Sequence, residues 1–300
     1  MEIVQALKAE ANNLGFAAIG FSELKRPVFF DQFCLWVDRG KNGDMAWLNR
    51  NVDIRENPEK LLYGCKTIIS LAYPYSTKKP GTPDGFTAAR YTEPKKRDYH
   101  YRLRKLGKRM VSFLKTIDPS SRSRVCVDSA PILERSFAYT SGIGFIGKNN
   151  MLIVPGFGSY VFLVEILTTI PIDFPDISPM ESRCGSCTRC MDACPTGALE
   201  SPYSIDARRC LSYLTIENND ALSPEAVKRM KNCFLGCDVC QEACPFNRDP
   251  LSVDVMLPSA RELLSMSNEE FKNRLGKTAF GYPGLDKIKR NLSPLYLRSA

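Results

Sequence analysis

The feature that most restricts this chain lies between Arg183 and Leu199. The segment reads RCGSCTRCMDACPTGAL and places Cys184, Cys187, Cys190 and Cys194 at the C-x2-C-x2-C-x3-C-P spacing of bacterial ferredoxins. Three thiolates two residues apart wrap one face of an iron-sulfur cubane. The fourth, held before Pro195, points away and serves the other cluster of a pair, so one run of this kind predicts a second. The second is GCDVCQEACPFN, where Cys237, Cys240 and Cys244 repeat the x2 and x3 spacings and Pro245 repeats the proline. Its expected first cysteine is replaced by Phe234, which leaves one ligand to find. Cys210, in DARRCLSYLT, completes the eight thiolates that two [4Fe-4S] clusters need. Cys233 competes for that place, although its spacing to Cys237 is one residue too long. With Cys210, the crossover pattern assigns Cys184, Cys187, Cys190 and Cys244 to one cluster and Cys194, Cys210, Cys237 and Cys240 to the other.

Structural zinc also uses C-x2-C pairs and is the alternative reading. The close spacing, the two C-P endings and a single histidine among 300 residues favour iron and sulfide. Three further cysteines, Cys34, Cys65 and Cys126, lie in apolar settings and read as small buried hydrophobes. The N-terminus carries Glu2 and lacks a basic region followed by an apolar core, so the chain is expected in the cytoplasm, where cysteines mean metal or redox chemistry before disulfides. No membrane span is expected: the most apolar stretch, Tyr160 to Ile170, contains Glu165 and falls short of the roughly 20 residues a bilayer requires.

Ahead of the cysteines, helical and strand patterns alternate. Glu2 to Leu14 has helical apolar spacing, Phe16 to Phe21 and Lys66 to Tyr73 are β-rich, and Asp98 to Ile117 reads as a long basic amphipathic helix. A strand at Arg124 to Val127 meets Asp128, and Pro131 is expected to open a helix over Ile132 to Thr140. Gly142, Gly144 and Gly147 follow, then apolar runs at Met151 to Val154 and Tyr160 to Leu167 that suggest buried strands of a mixed sheet. Three prolines between Pro171 and Pro179 mark a boundary, which gives a first domain over 1–170, a ferredoxin-like domain over 171–255 and a helical extension over 256–300. The Lys78 to Asp84 loop is placed inside the first domain as a surface excursion.

Clusters pass electrons singly, so the first domain must hold the terminal reductant. No Walker A loop occurs, which removes support for P-loop hydrolysis. The only histidine, His100, sits in DYHYRL. Leu103 stands where a D-x-H-x-x-G cobalamin-ligand motif needs glycine, so His100 reads as a polar residue near a helix start.

VDSAPILER (Val127 to Arg135), GFIGKNNMLI (Gly144 to Ile153) and the two cysteine runs together resemble the epoxyqueuosine reductase family. RNVDIR, RDYH, DARRCLSYLTIE and the Arg290-Asn291 pair extend the resemblance over nearly the whole chain. It implies an α+β protein, with a nitroreductase-like cobalamin-binding domain followed by the ferredoxin-like domain holding two [4Fe-4S] clusters. It also implies base-off cobalamin, reduction of epoxyqueuosine to queuosine in the tRNA anticodon loop, an external donor such as a flavodoxin or ferredoxin, and a monomer. Asp128 matches the family's proton donor, a role that burial against the corrin would favour by keeping the carboxyl protonated; capping the following helix is its other reading. Lys148, Asn149 and Arg55 are candidate cobalamin contacts, each with a surface role as alternative.

HEAT-like repeats follow the Arg-Asn pair in many family members and are not expected here, and Ala88 to Tyr91 contains no cysteine where some members carry one. With a net charge of +8, tRNA phosphates are then expected to meet the basic run Lys95, Lys96, Arg97, Arg102, Arg104, Lys105, Lys108 and Arg109. The competing function is a ferredoxin-fused flavin or electron-transfer oxidoreductase that does not act on tRNA.

Overall fold

Two apolar runs form the centre of the first sheet. Thr67–Pro74 and Val161–Thr168 pair antiparallel and are buried along most of their length, which is why neither alternates with polar residues. Ala18–Glu23 and Ser123–Cys126 flank them, in the order Ala18–Glu23, Thr67–Pro74, Val161–Thr168, Ser123–Cys126. Every pairing is antiparallel, where the sequence suggested a mixed sheet. This computed structural model describes residues 2–247 and 252–299.

The Tyr99–Ile117 helix turns Leu103, Gly107, Met110 and Leu114 inward at spacings of three and four, and leaves Arg104, Lys105, Lys108 and Arg109 exposed. Gly107 is demanded by contact: a Cβ there would stand 2.5 Å from the Val125 side chain, so the helix backbone lies against the Ser123–Cys126 strand. A short helix, Glu134–Thr140, buries Phe137 and Ala138 against Thr67–Pro74 and Val161–Thr168. It starts two residues later than expected, because Pro131 lies in the preceding turn rather than in the first helical turn.

The proline-rich segment stays with this first unit beyond residue 170. Thr67 Oγ1 donates to the Ile170 carbonyl (2.9 Å) and accepts the Ile172 N–H (3.1 Å), and both isoleucines are buried. Chain contacts divide the protein into Met1–Gly40, Ala46–Pro74 and His100–Ser186 as one unit, and Lys41–Met45, Tyr75–Tyr99 and Cys187–Ala300 as the other. The break at Ser186 differs from the expected 170.

In the second unit, strands Cys233–Leu235, Thr87–Ala88, Lys79–Gly81 and Val253–Val255 form a sheet in that order, the outer pairs parallel and the inner pair antiparallel. The Lys78 to Asp84 loop therefore supplies a strand here and is not an excursion of the first unit. Phe234 and Phe280, both fully buried, meet edge to face at 6.0 Å. The chain beyond 256 is helical as expected, over Ala260–Ser265, Asn268–Arg274 and Leu285–Ser299, but it shares this core and is no separate extension. Arg290 donates to the carbonyls of Leu214, Asn218 and Asp220, and Asn291 to that of Thr215, which ties the last helix to Leu211–Ile216. Among the described residues, no helix is long and apolar enough to cross a membrane.

Candidate active site and cluster-binding thiols

Each cysteine run places a short helix before its C-P turn. Arg189–Ala193 precedes Cys194, Val239–Glu242 leads to Cys244, and the two helices pack together in the second unit. Burial opposes ionisation of Cys194, but backbone N–H groups of Leu199, Thr196 and Ala198 outweigh it and hold this thiol below its ordinary range. Burial raises Cys210, with the thiol of Cys194 as a like-charged neighbour. Cys237 is pushed up by burial and by Cys233, Cys210 and Asp238; Cys240 is pushed well up by burial, then by Cys237, Cys210, Cys194 and Cys190. Cys210 thus lies in the field of Cys194, and Cys237 and Cys240 each lie in that of Cys210, with Cys233 and Cys190 among their further neighbours.

Crowded, buried thiols resist ionising unless a cationic group takes their charge, and thiols bound to a metal are deprotonated outright. The donor set thus fits an iron-sulfur cluster. Among the described residues, no three His, Cys, Asp or Glu side chains are arranged around a single metal ion. Cys233, a neighbour of Cys237, has its thiol 3.7 Å from the Leu235 carbonyl and 3.6 Å from that of Gly236, beside Lys79 and Asp238. Phe234, at the expected ligand position, is core. Burial raises Cys34, takes Cys65 to about 11 and takes Cys126 to about 12, so these three stay thiols at neutral pH.

The second cluster of polar side chains surrounds Asp128. Leaving the Ser123–Cys126 strand, the chain turns so tightly that the Ser129 N–H reaches the Val127 carbonyl at 2.6 Å and Asp128 takes φ +54°. A non-glycine residue holds that left-handed conformation only where its surroundings impose it. Three contacts do so. Glu134 Oε1 accepts the Asp128 N–H (2.6 Å), Arg104 donates to Ser129 Oγ (2.7 Å), and His100 Nε2 lies 2.9 Å from Asp128 Oδ2.

Asp128 caps no helix. The residue before Glu134–Thr140 is Leu133, which makes no side-chain cap bond, and Asp128 instead has its own N–H capped by Glu134. Its side chain is 58% exposed, so the protein alone does not bury this carboxyl. Burial, reinforced by the nearby Asp128 carboxyl, pushes the Glu134 carboxyl up to about 8. Beneath it, fully buried Glu165 accepts Ser70 Oγ at 2.5 Å and is raised well above the carboxylate range by burial.

Arg55 is 8% exposed, its guanidinium 5.7 Å from the centre of the Phe33 ring and in the field of Glu134; burial lowers its pKa. Its Nε has no hydrogen-bond partner, and neither does the buried Nδ2 of Asn150. Arg135, exposed and next to Glu134, donates to the Asn150 carbonyl. Asn149 is buried and accepts the Met151 N–H at 3.2 Å, while Lys148 Nζ donates to the Gly185 carbonyl at 2.6 Å. Buried donors without acceptors call for a ligand rich in acceptors, and the amide carbonyls and phosphate of cobalamin are such acceptors.

The sequence does not single out Glu134 or Asn150; His100 reads there as a polar residue near a helix start, and Arg104 only as part of the basic run. Glu134 and Asn150 sit inside the VDSAPILER and GFIGKNNMLI motifs, so those motifs carried the available signal; nothing in DYHYRL announces that His100 meets Asp128.

The chain matches two sequence families and a set of known relatives. The sequence family "Epoxyqueuosine reductase QueG, DUF1730" matches residues 55–129, and the "4Fe-4S double cluster binding domain" matches residues 183–247. Epoxyqueuosine reductase of Leadbetterella byssophila is 32% identical over 299 residues, 96% of each chain, and that of Escherichia coli K12 is 36% identical over 90% of this chain and 74% of its own. Among solved structures, an epoxyqueuosine reductase with an epoxyqueuosine-modified tRNA-Tyr stem loop superposes with a TM-score of 0.87 at 32% identity, over 98% of this chain and 80% of that one. The Bacillus subtilis enzyme, with its catalytic aspartate loop swung out of the active site, gives 0.85 at 31% identity over 98% and 81%. At this identity over nearly its full length, the chain belongs to the epoxyqueuosine reductase family.

Proposed function

We propose that this protein reduces epoxyqueuosine to queuosine within tRNA, with Asp128 as the proton donor. The observation that carries the reading is the Asp128 turn: a carboxyl locked at φ +54° by Glu134, bonded to His100, and set among buried donors that lack acceptors. Opening the epoxide to an alkene consumes two electrons and two protons and releases the oxygen as water. Asp128 delivers a proton to that leaving oxygen, and the hydrogen bond from His100 aims the carboxyl and steadies the carboxylate left behind. Glu134 holds the turn that presents it.

Two [4Fe-4S] clusters and base-off cobalamin, when bound, supply the electrons for the epoxide carbon. Arg55, Asn149 and Asn150 would hold the cobalamin periphery through their donor groups, with Lys148 from the same turn. Cys194, Cys210, Cys237 and Cys240 would hold one cluster; Cys184, Cys187, Cys190 and Cys244 would hold the other. The exposed bases Lys95, Lys96, Arg97, Arg104, Lys105, Lys108 and Arg109 would meet tRNA phosphates, and an external carrier of the flavodoxin or ferredoxin type would reload the clusters in the cytoplasm.

Absorbance after anaerobic reconstitution with iron, sulfide and cobalamin tests the cofactor set. The expected spectrum combines a corrin with a broad cluster band, with about eight irons per chain. A flavin spectrum with no corrin bound would instead support an electron-transfer oxidoreductase that does not act on tRNA.

A further inference from the structure

The segment that carries Cys237, Cys240 and Cys244 also carries two carboxylates, Asp238 and Glu242, at positions where ferredoxin spacing asks for nothing in particular. Both are bound to cations from the Tyr75–Tyr99 segment. Asp238 is 1% exposed, and its Oδ2 accepts the Arg90 backbone N–H at 3.0 Å and the Arg90 guanidinium at 3.2 Å. Glu242 Oε1 accepts the same guanidinium nitrogen at 2.5 Å and Lys79 Nζ at 2.9 Å. Arg90 is fully buried, and its Nε donates to the Thr77 carbonyl at 2.5 Å, which fixes the plane of the fork. Lys79 lies close to Asp238, Glu242 and Cys233.

A buried ion network of this kind is poor value as a stabiliser, because apolar side chains of equal volume serve stability as well or better. What it provides that apolar packing cannot is fixed charge and fixed geometry. Here both are applied to the backbone turn that holds two thiols of one cluster and one of the other. Charges and hydrogen bonds close to an iron-sulfur cluster set its reduction potential, since reduction adds a negative charge that a nearby cation stabilises and a nearby anion opposes.

We infer that Arg90 and Lys79 are positioning residues for the cluster of Cys194, Cys210, Cys237 and Cys240: they clamp its ligand turn through Asp238 and Glu242, and the balance of charge in that clamp sets the cluster's potential. The inference rests on the cluster assignment proposed above. It accounts for the burial of Arg90 in a segment that has no thiol of its own.

Redox titration followed by electron paramagnetic resonance, on the full-length, anaerobically reconstituted protein, tests it. Lys79→Met removes a cation and is expected to lower the midpoint potential of one cluster, while Glu242→Gln removes an anion and is expected to raise it, both with iron content kept. Arg90→Met leaves buried Asp238 without its paired guanidinium and Glu242 with Lys79 alone, and is expected to cost iron from that same cluster. Midpoint potentials equal to wild type in both single-charge variants, or displaced in the same direction, would overturn the inference; so would full iron and an unchanged potential in Arg90→Met. Iron analysis of the wild type separates the two levels of the argument, because a wild type that binds no cluster overturns the assignment itself.

Discussion

A carboxyl proposed to give up a proton at one point in a reaction must be aimed at it, and the backbone turn that presents Asp128 is held by Glu134. Glu134 keeps its proton to about pH 8 in the folded protein, against an ordinary carboxyl value of 4.5. Its folded-state value is raised, so its contribution to stability is complete below about pH 4.5 and disappears as the pH climbs through about 8. Thermal melts should therefore show the wild type losing stability across that window, and Glu134→Gln, which cannot ionise, losing less of it. Equal pH slopes would mean that Glu134 ionises freely in the folded state. Glu134→Gln keeps an acceptor for the Asp128 N–H and should retain much of the turnover, whereas Glu134→Ala frees the turn and should not. Asp128 was legible in the sequence through its motif. Its partners were not, because His100 precedes it by a whole helix and a strand, and only the packing of the Tyr99–Ile117 helix on the Ser123–Cys126 strand brings the two together.

Among the elements, those governed by strong periodicity were readable in advance. Helix Tyr99–Ile117 and strands Thr67–Pro74 and Val161–Thr168 fall within a residue or two of their expected bounds. Short pieces whose partners lie far away in sequence were not readable: Lys79–Gly81 looks like a proline-glycine loop, and it becomes a strand by pairing with Val253–Val255 on one side and Thr87–Ala88 on the other. The eight thiols occupy an intermediate position. Cluster size dictates the spacing within each run, but Cys210 belongs to no run and is assigned by counting; the structure puts it in the field of Cys194 and near Cys237 and Cys240, with Cys233 also near Cys237. Cys210→Ser should lower iron content toward a single cluster, and Cys233→Ser and Cys34→Ser should leave it unchanged. Loss of a cluster in Cys233→Ser but not in Cys210→Ser would reverse the assignment.

At the scale of the whole molecule, the excess of Lys+Arg 41 over Asp+Glu 33 gives the substrate tRNA a cationic partner. The exposed bases of the Tyr99–Ile117 helix and of Lys95 to Arg97 concentrate that charge on one stretch of chain. Each phosphate neutralised releases counterions, so tRNA affinity should fall steeply between low and moderate salt, and charge reversal at Lys105, Lys108 and Arg109 should flatten the slope without altering cobalamin binding. Affinity indifferent to salt would rule out this surface as the means of holding tRNA.

The account as a whole stands on a proton delivered by Asp128 to epoxyqueuosine. Its most direct test is single-turnover reduction of epoxyqueuosine-containing tRNA by the reconstituted wild type and by Asp128→Asn, with iron and cobalamin measured in both. Asparagine keeps the shape and much of the hydrogen bonding but has no proton to give, so the rate should fall about 10²- to 10⁴-fold while both cofactors stay bound. A variant that turns over at nearly the wild-type rate, or one that loses its cofactors together with its activity, would contradict the account.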